Sequence, residues 1–191
     1  MFARPRNPAL LSIRQPRRMA HAGFLMVASA RFSTVLGVCS LSWSEAEVTG
    51  FSLPETSENA PMIAPPTDLP DDIAALIERV RQHLRGIAQD FSDVSFAWET
   101  VTPFQQAVLR AALAIGPGHT ASYGEIATAI GEPLSSSRAV AAALGANPWP
   151  LLVPCHRIVG ADGKMTGFSG PGGVRTKVRL LALEGAQLLA E

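Results

Sequence analysis

The chain has 191 residues, 47% of them apolar, enough for one or two domains with a real core. No apolar run reaches the length of a bilayer-spanning helix, so a soluble globular chain is expected. Sixteen basic residues balance sixteen acidic ones. A zero net charge argues against nucleic acid only if the charge is evenly spread, and here it is not. Residues 1–44 carry six Arg and no acid, residues 45–100 three basic and eleven acidic residues, and residues 101–191 seven basic and five acidic. Any contact with DNA is therefore expected in the last third, through a local patch. Two cysteines, Cys39 and Cys155, are too few for a disulfide framework and fit a reducing compartment. No Cys/His cluster has zinc-ligand spacing.

In chain order, residues 1–20 are rich in Arg and Pro and read as a disordered tail or as translation from an upstream start codon, with Met19 as the native start. The short apolar patch Gly23–Ala30 is a poor targeting signal. Phe32–Gly37 and Val38–Trp43 predict extended strands about a glycine turn, and Glu45–Leu53 holds a second alternating stretch. Asn59–Pro70, with four prolines, predicts a loop. Asp71 and Asp72 then open a helix over Ile73–Leu84, with Ile73, Leu76, Ile77, Val80 and Leu84 at helical spacing and Gly86 as its stop.

Thr102-Pro103-Phe104 begins another helix, with Val108, Leu109, Ala112 and Leu113 on its apolar face, ended by Gly116-Pro117-Gly118. Ser122 and Glu125 form a capping-box pair ahead of a short helix, Tyr123–Ile130. Pro133 and Ser135–Ser137 introduce the next, Arg138–Leu144, closed by Gly145. Two short helices about a tight turn fit a helix-turn-helix or an ordinary helical hairpin equally well. The second is alanine-rich, which would let its backbone approach a surface closely, with Arg138 standing out as a long cation. Leu151–Val153 predicts a short strand running into Pro154-Cys155-His156-Arg157. A glycine-rich loop, Gly167–Gly173, precedes a final helix, Val174–Leu183.

A free thiol is a few per cent thiolate at neutral pH and needs a base, a cation or a helix N-terminus to become a useful nucleophile. Cys155 has His156 and Arg157 beside it, and Pro154 suits the first position of a helical turn, near free backbone N–H groups. Adjacent residues do not face one another on a helix, so His156 would reach Cys155 through a water. Glu184 is placed to orient the imidazole. Taken alone, a Cys-His pair is more often an inert buried Cys beside a surface His.

The surroundings change that. Thr102-Pro103-Phe104-Gln105, Thr120–Ala127, Ser137-Arg138-Ala139-Val140, Asn147-Pro148, Pro154–Val159, Gly167-Phe168-Ser169-Gly170 and Leu180–Gly185 follow in order. Over Thr102–Gly185 the chain resembles the O6-alkylguanine-DNA alkyltransferase (methylated-DNA–protein-cysteine methyltransferase) family. The resemblance implies an α+β protein with three parts. These are a tail over 1–20, a small ribonuclease H-like α/β domain over 21–100, and a mainly helical DNA-binding and alkyl-transfer domain over 101–191 with a winged-helix-like helix-turn-helix. It implies direct, irreversible, single-turnover transfer of an alkyl group from O6-alkylguanine, with O4-alkylthymine as a further substrate, to Cys155. His156 would be the water-mediated base, Glu184 its polarising carboxylate, and Asn147 the tie between reader and active-site segment. Tyr123 would rotate the nucleotide and Arg138 fill the gap in the base stack. Ser169 and the backbone around Cys155 and Ile158 would bind the guanine edge, and Pro150 and Phe168 would line its pocket. The implied partner is duplex DNA, bound in the minor groove by a cytoplasmic, monomeric protein without cofactor or metal.

The chain departs from the family pattern at Leu109, where Trp is common, and at Gly116-Pro117, where Ile-Pro is usual. Thr166 stands where Gly is frequent, and Pro171-Gly172 resembles a loop insertion. Three rival readings remain. A lesion-binding relative without transfer would carry Trp in place of Cys155, a plain helix-turn-helix regulator would not need Glu184, and a cysteine hydrolase would need an oxyanion site.

Overall fold

The computed structural model describes residues 27–55, 68–165 and 167–186. The 1–20 tail, Met19, most of the Asn59–Pro70 loop and Thr166 lie outside the described residues. Strands β1 (Ala28–Thr34), β2 (Gly37–Ser44) and β3 (Glu47–Ser52) form an antiparallel sheet in sequence order. Both hairpins turn in two residues, since Thr34 pairs with Gly37 and Ser44 with Glu47. Gly37 sits at φ +122°, and a Cβ there would lie 2.8 Å from Pro54, so the turn requires glycine. Period-two alternation buries Phe32, Leu41, Trp43 and Phe51. Helix α1 (Asp71–Leu84) adds Ile73, Leu76, Ile77, Val80 and Leu84 to the same core. Its acids lie in the first turn and Arg81 in the last, as the helix dipole favours.

The second half is helical. Thr102 caps α2 (Pro103–Leu113) in a reciprocal box with Gln105. Short β4 (Ala121–Ser122) pairs in parallel with β5 (Ile158–Val159). Helix α3 (Tyr123–Ala129) opens on the expected capping box. Glu125 N–H donates to Ser122 Oγ at 3.1 Å, and Ser122 N–H donates to Glu125 Oε2 at 2.6 Å. A 3-10 turn, Leu134–Ser136, leads into α4 (Ser137–Gly145), which packs against α2 and α3. Helix α5 (Val174–Leu183) has the bounds expected from the sequence.

One expected element is absent. Leu151–Val153 is a turn, with only an isolated bridge from Pro150 to Val153. Val153 N–H donates to Trp149 O at 2.8 Å, and Leu151 lies at φ +79°. All three residues are fully buried, and a short apolar run does not by itself distinguish a buried strand from a buried turn. Pro154 likewise stands one position earlier than expected, as the cap of a 3-10 turn over Cys155–Arg157.

The two halves meet at an aromatic cluster. Trp149 packs against Phe96, tilted, and Trp98, edge-on, with ring centroids 5.0 and 5.1 Å away, and its indole N–H donates to Val48 O at 2.8 Å. Phe51 N–H donates to Pro148 O at 2.9 Å. The segment carrying Cys155 is thus pinned to β3.

Candidate active site

Asn147 follows α4 and organises the turn beyond it. Its Nδ2 donates to Val153 O and its Oδ1 accepts from Trp149 N–H, both at 2.9 Å. The turn leaves Cys155 at the head of the 3-10 turn, 6% exposed, in the wall of a cavity of about 460 Å3. Tyr123 from α3, Arg138 and Ala141 from α4, and Phe168 and Ser169 from the glycine-rich loop line the same cavity. Pro150 lines a neighbouring cavity instead. Ile158 is fully buried behind the site, and its carbonyl accepts from Lys177 Nζ.

Behind Cys155 lies a buried polar network. Glu184, which caps the end of α5, accepts at Oε1 from His156 Nε2 (2.9 Å), His83 Nε2 (2.9 Å) and Arg157 Nη2 (2.8 Å), and at Oε2 from Arg157 Nε (2.9 Å). Arg157 Nη1 also donates to Ile115 O. Burial alone would push the Glu184 carboxyl up, but the hydrogen bonds from His156, His83 and Arg157 outweigh it. They hold the group well below the usual carboxylate range. Burial draws the His156 imidazolium pKa down, and the bond to Glu184 opposes this only in part, so the ring is neutral near pH 7. The carboxylate must receive an N–H, which assigns the proton of His156 to Nε2. Nδ1 is then the basic nitrogen. It is buried without a protein hydrogen-bond partner.

Burial also pushes the Cys155 thiol pKa up, against the Asn147 amide, the Lys177 ammonium and the local backbone N–H groups. The resting pair is therefore a neutral thiol beside a neutral imidazole. Cys39 is deeply buried too, and burial pushes its thiol up to about 12. Among the described residues no group of three or more His, Cys, Asp or Glu is placed to hold a metal ion, and no helix is long and apolar enough to cross a membrane.

The family model "6-O-methylguanine DNA methyltransferase, DNA binding domain" matches residues 103–186. A methylated-DNA–protein-cysteine methyltransferase of Methanothermobacter thermautotrophicus is 35% identical over 151 residues, 76% of this chain and 78% of that protein. The crystal structure of Mycobacterium tuberculosis O6-methylguanine methyltransferase superposes with a TM-score of 0.67 at 33% identity, covering 87% of this chain and 97% of that one. This chain belongs to the methylated-DNA–protein-cysteine methyltransferase family. An M. tuberculosis methyltransferase of that name is 50% identical over 90 residues, 47% of this chain, and the match spans about half (53%) of that relative's length. A structure of M. tuberculosis OGT in complex with DNA superposes with a TM-score of 0.65 at 35% identity, over 81% of this chain and 91% of that one.

Two residues of the candidate site escape a motif reading. Lys177 is 1% exposed. It donates to Ile158 O and Gly167 O, and its Nζ lies 5.9 Å from the Tyr123 ring centroid. His83 comes from α1, some 70 residues before Cys155 in the sequence. Both had one sequence signal: each is a polar residue on an otherwise apolar helical stripe. Lys177, Leu180 and Leu181 share one face of α5, and Leu76, Val80 and His83 one face of α1.

Proposed function

We propose that this protein repairs O6-alkylguanine in duplex DNA by moving the alkyl group to Cys155, once per molecule and irreversibly. Family membership supports the reaction class, and the observation that carries the residue assignment is the cavity joining Cys155 to Tyr123 and Arg138, backed by the His156–Glu184 pair. An alkyl carbon stacked inside a duplex cannot meet a protein sulfur, so the nucleotide must leave the helix, at a cost of a few kcal/mol. Tyr123 stands at the cavity wall to turn the nucleotide, and the exposed Arg138 is placed to fill the vacated stack. Helix α4 exposes Ala139, Ala141 and Ala142 while burying Val140, Ala143 and Leu144, so its outer face is narrow enough for the minor groove. The flipped base then rests against Phe168 and Ser169.

In the chemical step the Cys155 proton passes by way of a water to His156 Nδ1, while Glu184 holds the imidazolium that forms. Sulfur attacks the alkyl carbon, the C–O6 bond breaks, and the guanine takes up the proton as it returns to its keto form. The thioether produced is a poor leaving group, so the protein is not regenerated. Lys177 supplies positive charge to the developing thiolate, and the chemistry needs no cofactor or metal. O4-alkylthymine fits the same scheme. We further propose that residues 101–191 form the DNA-binding and transfer domain and 21–100 a scaffold behind it, acting as a cytoplasmic monomer.

Intact-mass measurement after incubation with duplex O6-methylguanine DNA tests the reading. One methyl group per protein, located on Cys155 and absent in Cys155→Ala, is the expected result. Binding without a mass change would replace transfer with lesion recognition alone.

A further inference from the structure

Glu184 has more donors than a base-orienting carboxylate requires. A carboxylate offers about four lone-pair sites. Three donors, from His156, His83 and Arg157, converge on Oε1, while Oε2 accepts from Arg157 alone, so Oε1 is divided among more donors than its two lone pairs. His83 is 1% exposed, and Gln89 N–H donates to its Nδ1 at 3.1 Å. That bond fixes Nδ1 as an acceptor and places the ring proton on Nε2, aimed at Glu184. The Phe91 ring, 5.5 Å away, packs against the imidazole. Among the described residues, the charged and titratable groups that meet this ring are Glu184 and, around the same carboxylate, His156 and Arg157.

We propose that His83 is a positioning residue for alkyl transfer, by which α1 competes with His156 for Glu184 Oε1 and so sets how strong a base His156 is. The inference rests on the transfer reading above. Each hydrogen bond to a carboxylate withdraws charge from it. A shared Oε1 therefore supports the His156 imidazolium less than an undivided one would, and His156 stays neutral to lower pH. The helix bearing His83 lies outside the residues matched by the DNA-binding family model. The scaffold half of the molecule thus takes part in tuning the reaction.

His83→Phe removes the donor and keeps a ring of similar shape, whereas His83→Gln keeps an N–H close to the Nε2 position. The readout is the rate of methyl transfer from O6-methylguanine DNA as a function of pH. With His83 gone, Oε1 is shared by His156 and Arg157 alone, the imidazolium is better supported, and the acid-side midpoint of His83→Phe should rise by about one pH unit. His83→Gln should restore the wild-type midpoint. A His83→Phe midpoint that coincides with wild type overturns the proposal, as does a slower rate at an unchanged midpoint in both variants, which marks a packing role. Should His83→Phe not fold, ring-nitrogen NMR of the wild-type protein decides: the Nε2–H tautomer of His83 is expected, and an Nδ1–H tautomer overturns the assignment. Wild-type protein that gains no methyl group at all would instead sink the transfer reading, a result distinguishable from any of these.

Discussion

At the level of single residues, Glu184 carries the largest concentration of dependence. It is a buried anion whose four donors come from α1 and the Cys155 turn. Glu184→Gln leaves Arg157 buried without its counter-ion, and loss of one partner from such a pair costs about 3–5 kcal/mol. Denaturant unfolding at pH 7 should show a loss of this size, together with a collapse of the methyl-transfer rate. The pH dependence has a definite sign. The folded carboxyl pKa lies well below the unfolded one, so its contribution is complete above the unfolded value, about 4.3, and is lost as pH falls further. Wild-type stability should therefore drop on acidification below that point more steeply than that of Glu184→Gln. Of the two thiols, only Cys155 borders the cavity, and Cys39 should remain unmodified after complete reaction.

For α4 the question is what its outer face is for. A helix that exposes three alanines and one arginine gives up side-chain contacts in exchange for close backbone approach. Ala142→Leu retains helix propensity and should leave thermal stability within about 0.5 kcal/mol of wild type. It should nevertheless weaken duplex binding about tenfold or more, a penalty of about 1.4 kcal/mol, measurable by titration with labelled DNA. Arg138→Ala separates flipping from chemistry. Transfer from duplex DNA should slow far more than transfer from free O6-alkylguanine base, and equal slowing of the two would count against a stack-filling role. The glycine-rich loop before α5 brings Phe168 and Ser169 to the cavity, while Lys177 in the first turns of α5 ties that loop to Ile158. Burial pushes the Lys177 ammonium down to about 8. Lys177→Met should therefore lower the transfer rate, and the deficit relative to wild type should narrow above pH 8, where the wild-type ammonium is itself lost.

Across the whole molecule, the N-terminal sheet and α1 form the wall against which the reactive turn is built. Trp149, Phe96 and Trp98 fill the joint, and the indole N–H of Trp149 reaches Val48 O. Trp149→Ala should cost about 3–5 kcal/mol in unfolding free energy. It should also slow methyl transfer even where the protein remains folded, because Asn147 and Cys155 lie on the same turn. Rates measured under conditions where the variant is fully folded would separate the two effects.

The sequence by itself determined the local devices: the capping box at Ser122, the glycine turn at Gly37, the bounds of α5, and the ordered motifs around Cys155. These are legible because their physics acts within a few residues. Tertiary structure decided the rest. It turned Leu151–Val153 from a strand into a buried turn, since an apolar run records burial and not backbone direction. It made Cys155 a neutral thiol, since burial outweighs Asn147, Lys177 and the local backbone N–H groups, while Arg157 turns away to Glu184. It also brought His83 and Lys177 to the site, residues whose sole signal was polarity on an apolar stripe. Long-range contacts leave little local trace, and a buried carboxylate collects its donors from wherever the chain happens to pass.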